Sequence, residues 1–280
     1  MRTTGRLVTL LAAAALSLAA GVRPVQAAYP PGPYPGPAPG GSFPTVVVSE
    51  TLTTDGGTIV ASQGTSNLRL EVPAGAFDVP TQITIYGGSP SLLAPLLPGG
   101  TSFVLGFAVA FNPTSTPRVP LRLTITDPAI GAGAGVYKLT ENGLSLFGDV
   151  TVDSGSVAVA IGADPAFVVA NRPAVTLVDL IAPGVNRGTS GFGTRSLVVP
   201  RGSYVTVLVR TDPSLAGALV GIWVEHTQNA WRLLTLRRVG ADGTVHYYAR
   251  VYGWTGYWVR FAGDISHAPA ASHGRIAVGR

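Results

Sequence analysis

The sequence predicts an all-β protein: two β-sandwich domains in tandem, behind a signal peptide and a Pro/Gly-rich linker. Three observations carry that expectation. Gly 36 and Pro 23 against a charged fraction of 12% suit many short strands and turns better than helices. Apolar residues recur with period two in one short run after another, as where Leu68, Leu70 and Val72 alternate with Arg69 and Glu71. Turn signals separate the runs, Asn142-Gly143 and Asp242-Gly243 being the strongest.

Residues 1–27 read as a secretory signal. Arg2 and Arg6 open it, residues 7–20 are its apolar run, and Val25-Gln26-Ala27 is a small-residue cleavage site, so the mature chain is expected to begin at Ala28. The alternative, an uncleaved anchor helix, needs a run of about 20 apolar residues, and Arg23-Pro24 ends this one short. No comparable run follows, so no membrane span is expected after cleavage. Residues 28–44 form the linker. Its stretch YPPGPYPGPAPGGSFP cannot bury a core, and proline biases it toward polyproline II, a stiff spacer. The other reading, a ligand for a proline-recognising groove, rests on a spacing too common to carry it.

The absence of cysteine excludes disulfides, thiolate metal sites and a catalytic cysteine, and leaves export open, because large domains bury enough surface without cross-links. Charge is divided. Residues 45–171 hold four basic and nine acidic residues, net −5, while residues 172–280 hold twelve arginines and five acids, net +7.

Residues 45–171 are the first expected sandwich. Gly56-Gly57-Thr58-Ile59-Val60 is a glycine turn into a strand, followed by the run at 68–72. Pro73-Ala74-Gly75-Ala76 interrupts the ladder, since Pro has no amide hydrogen and Gly tolerates positive φ, and Ile83 and Ile85 mark the next strand. Residues 102–111, 120–125 and 135–139 continue the set. A hairpin over Glu141-Asn142-Gly143 and short runs at 150–152, 157–161 and 167–170 close it. The order GGT(I/V), strand, PAGA(F/L), ITI-type strand resembles the start of a ZU5 domain, and the later series agrees over about 115 residues. The resemblance implies a protein-binding β-sandwich. Some animal members cut themselves at a His-Phe-Ser segment near the domain's end. The comparable stretch here, Ala163-Asp164-Pro165-Ala166-Phe167, lacks that His and Ser, so self-cleavage is not implied.

Residues 172–280 are the second expected sandwich. Pro200-Arg201-Gly202 turns into a strand at 204–209, and residues 220–224 form another. Residues 231–239 and 245–251 flank Gly240-Ala241-Asp242-Gly243-Thr244 and read as a hairpin. The closing series, Thr255 through Asp264, then Ala268-Pro269-Ala270 and a last strand at Ile276 and Val278, resembles the repeats of bacterial immunoglobulin-like (Ig-like) surface domains. The resemblance places Tyr257 at the tyrosine corner, a structural role.

Candidate chemistry is sparse. His226, His246, His267 and His273 show no i, i+4 helical spacing, so a zinc site is not expected. Ser190 in GTSGFG lacks the GxSxG spacing of a nucleophile elbow, and Asp149 with Asp153 match no calcium loop. No Gly-rich loop opens a helix, and no catalytic set can be assembled, so neither an enzyme nor a cofactor is expected. One constellation stands out in the last expected hairpin. If Tyr257, Val259 and Phe261 face the core, Trp258 and Arg260 face out; if Val245, Tyr247 and Ala249 face in, Tyr248 and Arg250 face out; Trp254 lies in the connection. Aromatics interleaved with arginines on one sheet face suit stacking on sugar rings or gripping an acidic partner. The bland alternative is a set of cross-strand pairs that stabilise a solvated sheet. The expected function is an exported, non-enzymatic interaction, adhesion or structural module of the bacterial envelope or extracellular matrix. A carbohydrate-binding accessory role for the face of Tyr248, Arg250, Trp254, Trp258 and Arg260 is the alternative. Expected partners are an envelope protein or an anionic polysaccharide, with self-association between the acidic and basic halves. Nucleic acid is not expected, for want of any recognisable module.

Overall fold

A computed structural model of the chain describes residues 41–163, 166–183, 196–226, 230–272 and 274–279. The signal, the linker up to Gly40, Asp164-Pro165, Ser190 and His273 lie outside the described residues. Strand accounts for 58% of the structure and helix for 5%, so the fold is all-β. No helix among the described residues is long and apolar enough to cross a membrane.

The first eleven strands are β1 (Thr45–Leu52), β2 (Gly57–Gln63), β3 (Ser66–Val72), β4 (Thr81–Gly87), β5 (Ser102–Asn112), β6 (Leu121–Thr126), β7 (Ala134–Thr140), β8 (Gly143–Leu146), β9 (Val150–Asp153), β10 (Ser156–Ile161) and β11 (Ala166–Asn171). They form a six-stranded sheet in the order β1-β4-β5-β11-β7-β8 and a five-stranded sheet in the order β2-β3-β6-β10-β9. Each sheet turns one alternating row inward. Leu68 and Leu70 of one sheet and Ile83, Ile85 and Phe107 of the other share a single buried core. The far side of the six-stranded sheet is also covered, by α1 (Pro90–Leu93), the 3₁₀ turn at Ala94–Leu96 and the N-terminal segment. Leu93 and Phe43 pack there in one cluster with Tyr137.

The turn after β3 hands the chain from one sheet to the other: β3 pairs with β2 and β6, while β4 pairs with β1 and β5. The break expected at 73–76 is therefore a crossover between sheets. Gly75 adopts φ 72° there and donates its amide to the Thr54 carbonyl. The Asn142-Gly143 hairpin is present as expected, β7 pairing antiparallel with β8.

The remaining strands are β12 (Leu177–Pro183), β13 (Ser196–Val199), β14 (Ser203–Thr211), β15 (Leu219–Glu225), β16 (Arg232–Arg238), β17 (Thr244–Val251), β18 (Trp254–Phe261), β19 (Ala270–Ala271) and β20 (Arg275–Gly279). Three of them form a sheet in the order β12-β14-β17. The others form a sheet in the order β13-β20-β18-β15-β16, with β19 pairing on β18. Inward rows from both sheets meet in two clusters, one around Ile222, Val245 and Val259, the other around Val207, Tyr257 and Ala277. Tyr257 is a core residue, as its expected structural role requires, and burial pushes its phenol pKa up.

Two expectations fail here. The Asp242-Gly243 turn does not close a hairpin, because β16 pairs with β15 and β17 pairs with β14. The turn itself is well made, Asp242 accepting from the amide and hydroxyl of Thr244, but it carries the chain between sheets. Residues 252–253 then carry it back, so β17 and β18 do not pair and share no face.

The two sheet pairs meet at a polar junction. The Arg172 guanidinium donates to the carbonyls of Gly133, Ala134 and Asp264, and the buried Tyr137 hydroxyl donates to the Ile265 carbonyl at 2.7 Å. The Ala268 amide donates to the Pro173 carbonyl beside them.

Candidate functional site: a tryptophan face

The five residues singled out in the sequence divide between the two sheets. Tyr248 and Arg250 project from β17 on the outer side of the three-stranded sheet. Arg250 lies opposite Tyr204 of β14, with its guanidinium carbon 4.9 Å from that ring's centre, and donates to the Tyr252 hydroxyl. Trp254, Trp258 and Arg260 project from β18 on the outer side of the other sheet. Trp254, expected in the connection, is instead the first residue of β18, while the alternation placed Tyr248, Arg250, Trp258 and Arg260 on the outer row of their own strands. The two rows simply belong to different sheets.

What gathers around Trp258 is larger than the sequence suggested. Trp223 of β15 lies directly opposite Trp258 in register. Trp231, just before β16, meets Trp258 edge-on with ring centres 5.8 Å apart. All four tryptophans of the chain therefore lie on this one face. Two glycines make room for them. A Cβ on Gly256 would stand 3.1 Å from the Trp231 indole and 3.3 Å from that of Trp254; one on Gly221 would stand 3.1 Å from Nε1 of Trp223. The Trp258 indole N–H donates to the Ser272 carbonyl at 2.8 Å, which fixes its plane. Trp231 and Trp254 remain half-exposed.

Arg260 is held against the rings, its guanidinium carbon 4.8 Å from the Trp258 centre and 6.0 Å from that of Trp223. Beyond it the face opens into a groove of about 960 Å³, floored by Gly221 and walled by Trp223, Leu233, Leu236, Arg238 and Arg260. Arg238 gives one N–H to the Gly217 carbonyl. The nearby carboxylates are engaged. Glu225 is buried and accepts from the Ala230 amide. Asp264 accepts from the amides of Ser266 and His267 and from the His267 ring. Burial pushes the Asp264 pKa up, but those hydrogen bonds outweigh it and hold the carboxyl below its usual range.

Sequence reasoning missed Trp223, Trp231 and the leucines of β16. The signal for Trp223 was present: with Val220, Ile222 and Val224 facing in, residue 223 faces out. Nothing local said that β15 lies beside β18. Among the described residues no group of His, Asp and Glu could hold a metal ion. A scan of family models and a search of curated proteins return no match to this chain.

Proposed function

We propose that this chain is an exported, non-enzymatic binding module of the bacterial envelope or extracellular matrix, and that the tryptophan face is its contact surface. One observation carries the reading. The chain's four tryptophans stand together on the solvent side of a sheet whose other side already has a core, so they are not needed to close the sandwich. Half-exposed indoles ringed by Leu219, Leu233 and Leu236 make an apolar patch of the kind that marks interaction sites. The first sheet pair is taken as ZU5-like on the ordered GGT, PAGA and ITI motifs, and the second as Ig-like on its closing series. Export rests on residues 1–27. Mass spectrometry of protein collected outside the cell should find Ala28 at its start; an intact Met1 would overturn cleavage after Ala27, and absence of the protein from that fraction would overturn export.

The contact surface is tested with the chain beginning at Ala28, applied to purified envelope and matrix fractions. Replacing Trp231 and Trp254 together by Ala should cut retention about tenfold, as loss of buried aromatic anchors does. Replacing Tyr248 and Arg250 together by Ala, on the opposite sheet, should leave retention unchanged. Equal losses from both pairs sink the assignment.

A further inference from the structure

We infer that the tryptophan face binds an acidic polysaccharide, a chain of sugar rings bearing carboxylates; this rests on the reading of that face as the contact surface. The first argument is shape. Trp254 and Trp258 project from the same side of β18 four residues apart, about 13 Å along the strand, with Trp231 packed beside both. A row of indoles offers flat apolar platforms, and the C–H face of a sugar ring is the flat apolar surface that fits them.

The second argument is charge. Among the described residues neither Arg238 nor Arg260 forms an ion pair, while Glu225 and Asp264 accept from internal donors. The groove thus offers two guanidinium groups with no ion-pair partner, in a half of the chain that holds twelve arginines and five acids, while the Asp264 carboxylate that also lines it is held by the amides of Ser266 and His267. The third argument is hydrogen-bond sense. Among the described residues, the side-chain polar groups of the groove that keep unpaired hydrogens are the guanidinium groups of Arg238 and Arg260 and the indole N–H of Trp223, all donors. Carboxylate, ring and glycosidic oxygens are acceptors, and Arg260, braced by two indoles, presents its fork for a carboxylate.

A peptide is the less suitable occupant. An apolar protein surface would bury Arg238 and Arg260 without partners, which is costly. An extended peptide would add to the edge of β16, and that edge is broken where its pairing with β15 shifts register between Ile222 and Trp223.

The test uses the chain beginning at Ala28 and follows its tryptophan emission, with titration calorimetry in parallel. Because every tryptophan lies on this face, a change in emission reports on it alone. Oligogalacturonate should shift the emission saturably, more weakly as salt rises. A neutral glucose oligomer and poly-glutamate should not. Arg260→Gln and Trp254→Ala should each weaken oligogalacturonate binding about tenfold, as expected for loss of a cation–π-braced carboxylate contact or a stacking platform. Arg250→Gln, on the other sheet, should not weaken it. Circular dichroism checks that the Trp254→Ala variant keeps the parent's β-sheet spectrum and is folded at the titration temperature. Absence of a saturable shift overturns the inference. Equal binding of poly-glutamate overturns the sugar, and equal binding of the neutral oligomer overturns the acid. If oligogalacturonate fails while envelope retention still needs Trp231 and Trp254, the contact surface stands and only the polysaccharide falls.

Discussion

Gly56 and Gly75 sit on either side of the same crossing, and their geometries separate two reasons for glycine. At Gly75 a Cβ would meet open space, so only φ 72° opposes a side chain. Gly75→Val should therefore cost about 1–3 kcal/mol, the strain of a β-branched residue at positive φ. At Gly56 a Cβ would fall 2.2 Å from the Val72 carbonyl oxygen, and backbone there cannot give way. Gly56→Ala, a smaller change, should lower the urea midpoint more than Gly75→Val; the reverse order would show that the turn rearranges. Asp127 is the second informative residue. Burial raises its pKa, but hydrogen bonds from Ser66, Ala129 and Thr65 outweigh this and leave it lowered. A carboxylate with a depressed folded pKa stabilises fully above its unfolded value, near 4, and loses that contribution as pH falls through the folded value. Asp127→Asn should cost about 1–3 kcal/mol at neutral pH and flatten the loss of stability measured by urea unfolding between pH 5 and pH 2.

At the scale of elements, β16 is the least protected strand. It ends its sheet and exposes Leu233, Leu234 and Leu236. Arginines at 232, 237 and 238 and the register break opposite Ile222 and Trp223 keep this edge from pairing with other strands. Replacing Arg232 and Arg237 together by Thr should produce concentration-dependent self-association in sedimentation velocity, and a variant that stays monomeric would show that the break alone suffices. The strand's position also explains the tryptophan face, because Leu233 and Trp231 reach Trp223 and Gly256 only from that edge.

At the scale of the molecule, the two sheet pairs are joined by few polar contacts. Arg172 spends its guanidinium on three carbonyls, two in the first pair and one in the second. Arg172→Ala with Tyr137→Phe should increase the radius of gyration in small-angle scattering and speed hydrogen exchange near Ala268. An unchanged profile would mean that apolar contact, such as that between Gly133 and Ala268, holds the junction. Burial raises the Tyr137 phenol pKa, with Arg172 opposing and Asp264 adding to the rise. The folded state thus favours the neutral hydroxyl that donates to Ile265, and its contribution fades as pH climbs past 10. The net −5 and +7 halves bear on association as well. Sedimentation of the chain beginning at Ala28 should show self-association at low salt that disappears at 0.15 M, where charges more than about 8 Å apart are screened. Monomer at every ionic strength would reduce the asymmetry to surface composition.

Period-two patterning determined by itself that residues such as Leu68, Leu70, Val157 and Val259 face a core, because alternation is a property of one strand's backbone. Asn142-Gly143 marked its hairpin for a similarly local reason: Gly143 supplies the positive φ, 103°, with which the tight connection enters β8. Outward placement of Tyr248, Arg250, Trp258 and Arg260 was legible on the same grounds. Which rows share a face was not, since sheet membership depends on pairing between distant strands, and the Asp242-Gly243 turn looks alike whether it closes a hairpin or crosses a sandwich. β12 escaped notice because Asp179, an acid on its inward row, breaks the apolar pattern; in the fold it is buried and accepts from Ser272, ninety-three residues along the chain. The gathering of Trp223, Trp231, Trp254 and Trp258 was decided by tertiary structure alone, through the pairing of β18 with β15 and the space left by Gly221 and Gly256.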